Sequence, residues 1–156
     1  MDVNFAILIS MTTDKHIVVR VRGVIVDSEG KLLVVHHTGN TSFAALPGGH
    51  LEWGETVHDA LSREMVEELG VVPVIGRLLY VNNFTEKDSI QSIEFFFEIL
   101  NGDDYKNLDG LERTHAHELD DVVWISKTDD MKIMPQKFNQ DFKEGNLFSG
   151  EIAFVF

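Results

Sequence analysis

Apolar residues recur along this chain with two different periods. His16 to Val26 is β-branched and largely apolar, and a second such run, Lys31 to Val35, follows the turn residues Asp27-Ser-Glu-Gly30. Two short runs of this kind around a glycine-containing turn predict a hairpin. Val74, Ile75, Leu78, Leu79 and Val81 mark another strand, broken near Gly76 and ending near Phe84, with Thr85 to Ser89 as a turn. Ile90 to Leu100 continues as a strand that sends Ile93, Phe95 and Phe97 to one face and Glu94, Phe96 and Glu98 to the other. Glu94 is thereby expected to face solvent, the alternative being an approach across the sheet to a metal site.

Between these strands the period changes. Val57, Ala60 and Leu61 recur at helical spacing, with Thr56 as N-cap, Asp59 in the capping-box position and Gly70 as the C-terminal stop. A second helix is predicted from Pro135 to about Glu144, with Phe138 and Phe142 one turn apart on its buried side and Gly145 closing it. Gly150 to Phe156 is apolar enough for a last strand that pairs with the sheet or with the N-terminal segment, or serves a homodimer contact. Strands and helices alternate around one core, so the expected fold is α/β, a mixed β-sheet between helices in an α/β/α sandwich.

With 156 residues, 44% of them hydrophobic, there is room for one domain with a real core and too little for two. The expected domain covers 16–156, and 1–15 is an N-terminal extension or an extra strand. Phe5-Ala-Ile-Leu-Ile9 lacks a basic start and is short for a signal peptide, and Met11 is a possible internal initiator. Zero cysteines exclude disulfides, thiolate metal sites and a cysteine nucleophile, and fit a reducing, cytoplasmic location. A net charge of −13 argues against nucleic acid or anionic membrane as a partner. No apolar run approaches the length of a membrane span.

The acids carry the chemistry. On a helix, separations of three and four residues return to one face, so Glu64, Glu67 and Glu68 crowd together. Like charges at these spacings repel by a few tenths of a kcal/mol per pair, and a cation is the natural remedy. Glu64 and Glu68 also continue the side occupied by Val57, Ala60 and Leu61, where an apolar stripe should have run on. Hard oxygen ligands without cysteine suit Mg²⁺ or Mn²⁺.

The surrounding residues add identity. Gly49, Glu55, Arg63, Glu64, Glu67, Glu68 and Gly70, with aliphatic-type Met65 and Val71, match the Nudix box over Gly49 to Val71 without a departure. The chain therefore resembles the MutT/Nudix hydrolases. The resemblance implies hydrolysis of a nucleoside diphosphate linked to another moiety, NDP-X, with a nucleotide-type small molecule as substrate. It implies Glu64, Glu67, Glu68 and the Gly48 carbonyl as metal ligands, Arg63 as the residue that orients the carboxylates, and Glu55 as a loop support able to reach the metal shell. Glu118, in an acidic loop before a strand, is the candidate extra acid, and Glu64 or Glu118 the general base.

Other signals are weaker. Trp53, Phe84 and Phe43 are candidates to stack on a base. Adjacent His36 and His37 point to opposite faces of a strand and suit surface or substrate-edge roles. His115 and His117 could ligate zinc, but no third partner accompanies them at a recognisable spacing. Asn107-Leu-Asp109-Gly110 fails as a calcium loop, because Tyr105 and Ala116 stand where ligands are required. Subfamilies resembling ADP-ribose hydrolases carry a proline about 15 residues beyond the box, where Thr85 and Glu86 stand; dinucleoside polyphosphate hydrolases carry a tyrosine slightly farther on, where Lys87 and Asp88 stand. By elimination a MutT-like pyrophosphohydrolase is favoured. The alternatives are a non-catalytic nucleotide sensor and a diphosphate-ester isomerase on the same fold.

Overall fold

The strand His16–Ile25 (β1) at its Ile25 end and the strand Leu32–His37 (β2) at its Leu32 end bury both of their faces, which decides the layering. Val21 and Ile25 of β1, with Leu33 and Val35 of β2, pack into one hydrophobic cluster, while Val24, Leu32 and Val34 pack into another on the opposite side. A stretch covered on both sides needs apolar residues facing both ways, which Val24-Ile25 and Leu32 to Val35 supply, while Arg20 and Arg22 interrupt β1 further back. The computed structural model describes residues 15–38, 44–87 and 89–156. The expected extension before Lys15, the alternative start at Met11 and the candidate Phe43 lie outside the described residues.

The remaining elements are α1 (Val57–Leu69), β3 (Ile75–Lys87), β4 (Ile90–Ile99), β5 (Leu119–Ile125), α2 (Gln136–Glu144) and β6 (Ala153–Val155), with 3₁₀ turns at Gly102–Lys106 and Ala116–Glu118. The larger sheet has the order β1-β4-β3-β6: β1 runs parallel to β4, β3 antiparallel to β4, and β6 parallel to β3. β2 and β5 form a separate antiparallel pair. Ala60, Leu61, Met65 and Leu69 of α1 fill the first cluster, and Phe138 and Phe142 of α2 fill the second, so each helix covers one side of the strands. This is the expected α/β/α sandwich. Full burial of a Leu, Phe or Met side chain contributes about 1.5–3 kcal/mol, which makes these two layers the main source of stability.

The expected hairpin is not formed. β1 and β2 share only the bridge at Val26 and Leu32 and the bond from the Asp27 N–H to the Lys31 carbonyl, then diverge into different sheets. The Asp27 carboxylate holds the turn, its Oδ1 accepting from the Lys31 N–H at 2.8 Å and the Glu29 N–H at 2.9 Å, and the strands part beyond the Val26–Leu32 bridge, β1 to pair with β4 and β2 with β5. β3 also differs from expectation: it starts at Ile75 and continues to Lys87, through the stretch read as a turn.

The outer edge of β1 does not stay open. Residues 47–51 run along it, with bonds from the Gly23 N–H to the Pro47 carbonyl, from the Val21 N–H to the Gly49 carbonyl and from the Leu51 N–H to the Val19 carbonyl, each 2.9 Å. Gly48 makes this approach possible at φ 130°, since a Cβ there would stand 2.1 Å from the Val21 carbonyl oxygen. The loop before α1 is thus fastened to the sheet. Thr56 and Asp59 form the expected reciprocal capping box, and Gly70 ends α1 in the left-handed conformation at φ 76°.

Candidate active site

The face of the large sheet that α2 covers turns polar towards one end. Tyr80 and Phe96 pair under α2; the next pair on that face is Asn82 and Glu94, and the one beyond is Phe84 and Ser92. On β1 the same face carries Val24, then Arg22, then Arg20. A cleft of about 590 Å³ opens where the core stops, lined on this side by Arg20, Arg22, Phe84, Glu86 and Glu94. Its other wall is built by Gly48, Gly49, His50, Arg63, Glu64 and Glu68, and His37, His115 and Glu118 close the rim.

Arg63 organises the acids. Its Nε and Nη2 donate to the two oxygens of Glu55 at 2.8 and 3.1 Å, its Nη1 to Glu64 at 2.9 Å and Glu67 at 3.0 Å, and its Nη2 also to the His50 carbonyl at 3.0 Å. One guanidinium therefore fixes three carboxylates, which raises its own pKa and lowers that of Glu55. Gly49 gives Glu64 its place: a Cβ at that position would lie 2.4 Å from the carboxylate carbon of Glu64.

Glu68 is different in kind. It is 3% exposed, accepts from the Gly48 N–H at 2.8 Å, and has its pKa pushed up to about 7, chiefly by burial and secondarily by the charge of Glu64. A buried carboxylate helped only by the Gly48 amide and the charge of Arg22 lacks full compensation for its own charge. The Gly48 carbonyl, implied as a metal ligand, accepts from Arg22 Nη1 at 3.2 Å.

Two groups were misread from sequence. Glu94 is 7% exposed and bonded to Arg22 Nε and Nη2 at 3.1 and 3.0 Å and to the Asn82 amide at 3.1 Å, so it faces the cleft, not solvent. Strand alternation gave its face correctly, but the length of sheet that α2 covers on that face is not written in the local pattern. His115 has the partners that sequence spacing did not offer. Its Nδ1 lies 3.2 Å from Glu67 Oε2, and one donor atom each from Glu64, Glu67 and His115 fall within 4.8 Å of one another.

The other candidates divide. Glu118 lines the cleft, though its side chain is about half exposed, and Phe84 is present on the sheet wall. Trp53 is fully exposed and is not among the lining residues. His37 and His50 both line the cleft, and burial, followed by nearby Arg22 for His37 and Arg20 for His50, lowers both pKa values. Both imidazoles are therefore neutral at pH 7.

Carboxylates gathered without a full complement of positive charge, a glycine cradle that holds Glu64 in place and an imidazole nitrogen beside them form a donor set that fits a divalent cation. Glu64, Glu67 and His115 are the nearest-spaced donors, and Glu68 lines the same cleft as Glu64 and His115.

Similar proteins are found both by sequence and by fold. The chain is 36% identical over 93 residues to an ADP-ribose pyrophosphatase of Methanocaldococcus jannaschii, a match that spans 56% of this chain and 54% of that protein. It is 30% identical over 111 residues to phosphatase NudJ of Shigella boydii, covering 69% of this chain and 68% of the relative. Its fold superposes on the crystal structure of a MutT protein from Methanosarcina mazei with a TM-score of 0.62 at 22% identity, over 83% of this chain and 93% of that one. The NUDIX domain profile matches residues 16–143, a span that holds β1 through most of α2 and every residue of the cleft, and the chain belongs to the NUDIX family of hydrolases.

Proposed function

We propose that this protein is a Mg²⁺- or Mn²⁺-dependent pyrophosphohydrolase acting on an NDP-X compound, with a MutT-like nucleotide substrate favoured. The observation that carries this reading is the pairing of Glu64 with buried Glu68 on one wall of a cleft whose other wall presents Arg20 and Arg22, with donor atoms of Glu67 and His115 gathered beside that of Glu64. In a chain of net charge −13, those guanidiniums are the groups that can receive the phosphates of an anionic substrate.

A divalent ion, when bound there, neutralises diphosphate charge and lowers the pKa of water. The chain's own residues do the rest. Arg63 keeps Glu64 and Glu67 aimed, Gly48 fastens Glu68, and Glu64 or Glu118 serves as the base that takes a proton from the attacking water. Phe84 supplies an apolar surface on the sheet wall for a base or sugar.

A second substrate reading, ADP-ribose, is favoured by the name of the Methanocaldococcus relative. Against it stands Glu86, at the place where such subfamilies carry proline; it is ion-paired with Arg20 inside the cleft. The domain is read as 16–156, the location as cytoplasmic, the partner as a small nucleotide with no nucleic acid or membrane, and homodimerisation as open to the exposed C-terminal Phe154 and Phe156. Among the described residues no helix is long and apolar enough to cross a membrane.

The test is phosphate release from a panel of nucleoside triphosphates, ADP-ribose and other NDP-X compounds with Mg²⁺ or Mn²⁺, before and after pyrophosphatase treatment. Turnover that falls by orders of magnitude in Glu68→Gln is the expected result. Binding of nucleotide without any turnover would establish a sensor instead, and an isomerised product would establish the third chemistry.

A further inference from the structure

His115 lies far from the family box in sequence but is built onto the same helix. The last turn of α1 leaves carbonyls without helical partners, and the 113–115 segment takes two of them: the His115 N–H donates to the Glu67 carbonyl at 2.9 Å and Arg113 Nε to the Glu68 carbonyl at 2.7 Å. Gly70 lets that segment close in, since a Cβ there would meet Leu111 at 2.8 Å. The imidazole is consequently held over the carboxylates by its own backbone, with Nδ1 3.2 Å from Glu67 Oε2.

The geometry points to His115 as a nitrogen ligand of the divalent ion, which makes the site a mixed imidazole–carboxylate centre that prefers Mn²⁺ and later first-row ions to Mg²⁺. This rests on the proposed metal-dependent reading. Three atoms bound to one ion at about 2.1 Å are at most about 4.2 Å apart, and the donor atoms of Glu64, Glu67 and His115 already fall within 4.8 Å. Rotation of the glutamate side chains closes the difference. Imidazole nitrogen adds little for Mg²⁺, whose shell is oxygen and water, and more for the transition ions. His117, three-quarters exposed, stands 6.2 Å from His115 ring to ring and is outside this donor set.

The experiment loads Mn²⁺ onto protein grown with ¹⁵N-histidine and reads electron spin-echo modulation. One ¹⁵N coupling is expected, absent in His115→Ala and in His115→Gln, and present in His117→Ala. Calorimetric titration should show Mn²⁺ affinity falling on the order of tenfold in His115→Ala, with Mg²⁺ affinity changing by less than about threefold. Circular dichroism checks that both His115 variants stay folded. Mn²⁺ bound without a histidine coupling, or with one that survives in both His115 variants, overturns the assignment while leaving hydrolysis untouched. An intact coupling in a protein that turns over no NDP-X compound overturns the functional reading alone, and failure to bind Mn²⁺ at all overturns both.

Discussion

The backbone N–H of Gly48 donates to the carboxylate of Glu68 at 2.8 Å, which ties the loop on the edge of β1 to the last turn of α1. That single bond fastens together the loop and the helix that build one wall of the cleft. It also leaves a carboxylate buried with its pKa pushed up to about 7, first by burial and then by Glu64.

A pH dependence follows for the metal-free protein. Glu68 titrates near 7 when folded and near 4.5 when unfolded, so between those values the folded state holds a proton that the unfolded state releases. Its contribution to stability is complete below about pH 4.5 and lost as pH rises through 7, on the order of 3 kcal/mol over the interval. Urea denaturation in EDTA should show the protein weakening between pH 5 and 8, and Glu68→Gln should flatten that slope and be the more stable form at pH 8. Parallel profiles for the two proteins would mean that Glu68 is compensated in the folded state.

Arg63 provides the charge that three carboxylates share. Removing it in Arg63→Ala should cost roughly 1–3 kcal/mol, because Glu55, Glu64 and Glu67 lose hydrogen bonds to a charged partner at one stroke. Excess Mg²⁺ should restore more stability to this variant than it adds to the parent, since a second cation relieves the same repulsion. Arg63→Lys keeps the charge but not the fork, and turnover should still fall by about 10–100-fold. Thermal melts with and without Mg²⁺, beside rate measurements, separate the two roles; equal Mg²⁺ shifts for parent and Arg63→Ala would contradict the idea of shared compensation.

Adjacent Gly48 and Gly49 should fail differently when replaced. At Gly48 a methyl group meets backbone, 2.1 Å from the Val21 oxygen at φ 130°, so Gly48→Ala should detach the loop from β1 and destabilise the fold by several kcal/mol, on the order of 3–4. At Gly49 it meets only the end of the Glu64 side chain, which can rotate away. Gly49→Ala should therefore melt close to the parent while losing turnover and metal affinity, as calorimetry and metal titration would show. A Gly49→Ala protein with normal metal affinity would remove Glu64 from the ion's shell.

Much of this was legible in the residues. Thr56, Asp59 and Gly70 announced both ends of α1, and Phe138, Phe142 and Gly145 announced α2, because caps and helical spacing act within a few residues. The acids of α1 were legible for the same reason. What sequence hid depends on contacts between distant segments. β1 and β2 find partners distant in sequence, β4 and β5, so an expected hairpin becomes strands of two sheets. Glu94 became a cleft residue because Arg22 and Asn82 reach it from neighbouring strands, and His115 became a metal candidate because its loop caps α1. Neither pairing has a fixed spacing that a motif could record.

The Arg22–Glu94 pair gives the sharpest test of that hidden layer. Arg22 spans from Glu94 to the carbonyls of Leu46 and Gly48, with the two side chains only 16% and 10% exposed. Glu94→Ala leaves a guanidinium without its counter-charge and the Asn82 amide without its acceptor, and should cost roughly 2–4 kcal/mol. Arg22→Met should cost a similar amount and also free the Gly48 carbonyl, so it should lower turnover more than Glu94→Gln, which keeps the shape of the acceptor. The double variant should be less destabilised than the sum of the singles by roughly 1–3 kcal/mol, since neither charge is then left alone. Additive losses in a urea double-mutant cycle would show that the two side chains act independently, and Gly48 would then owe its place to the edge of β1 and to Glu68 alone.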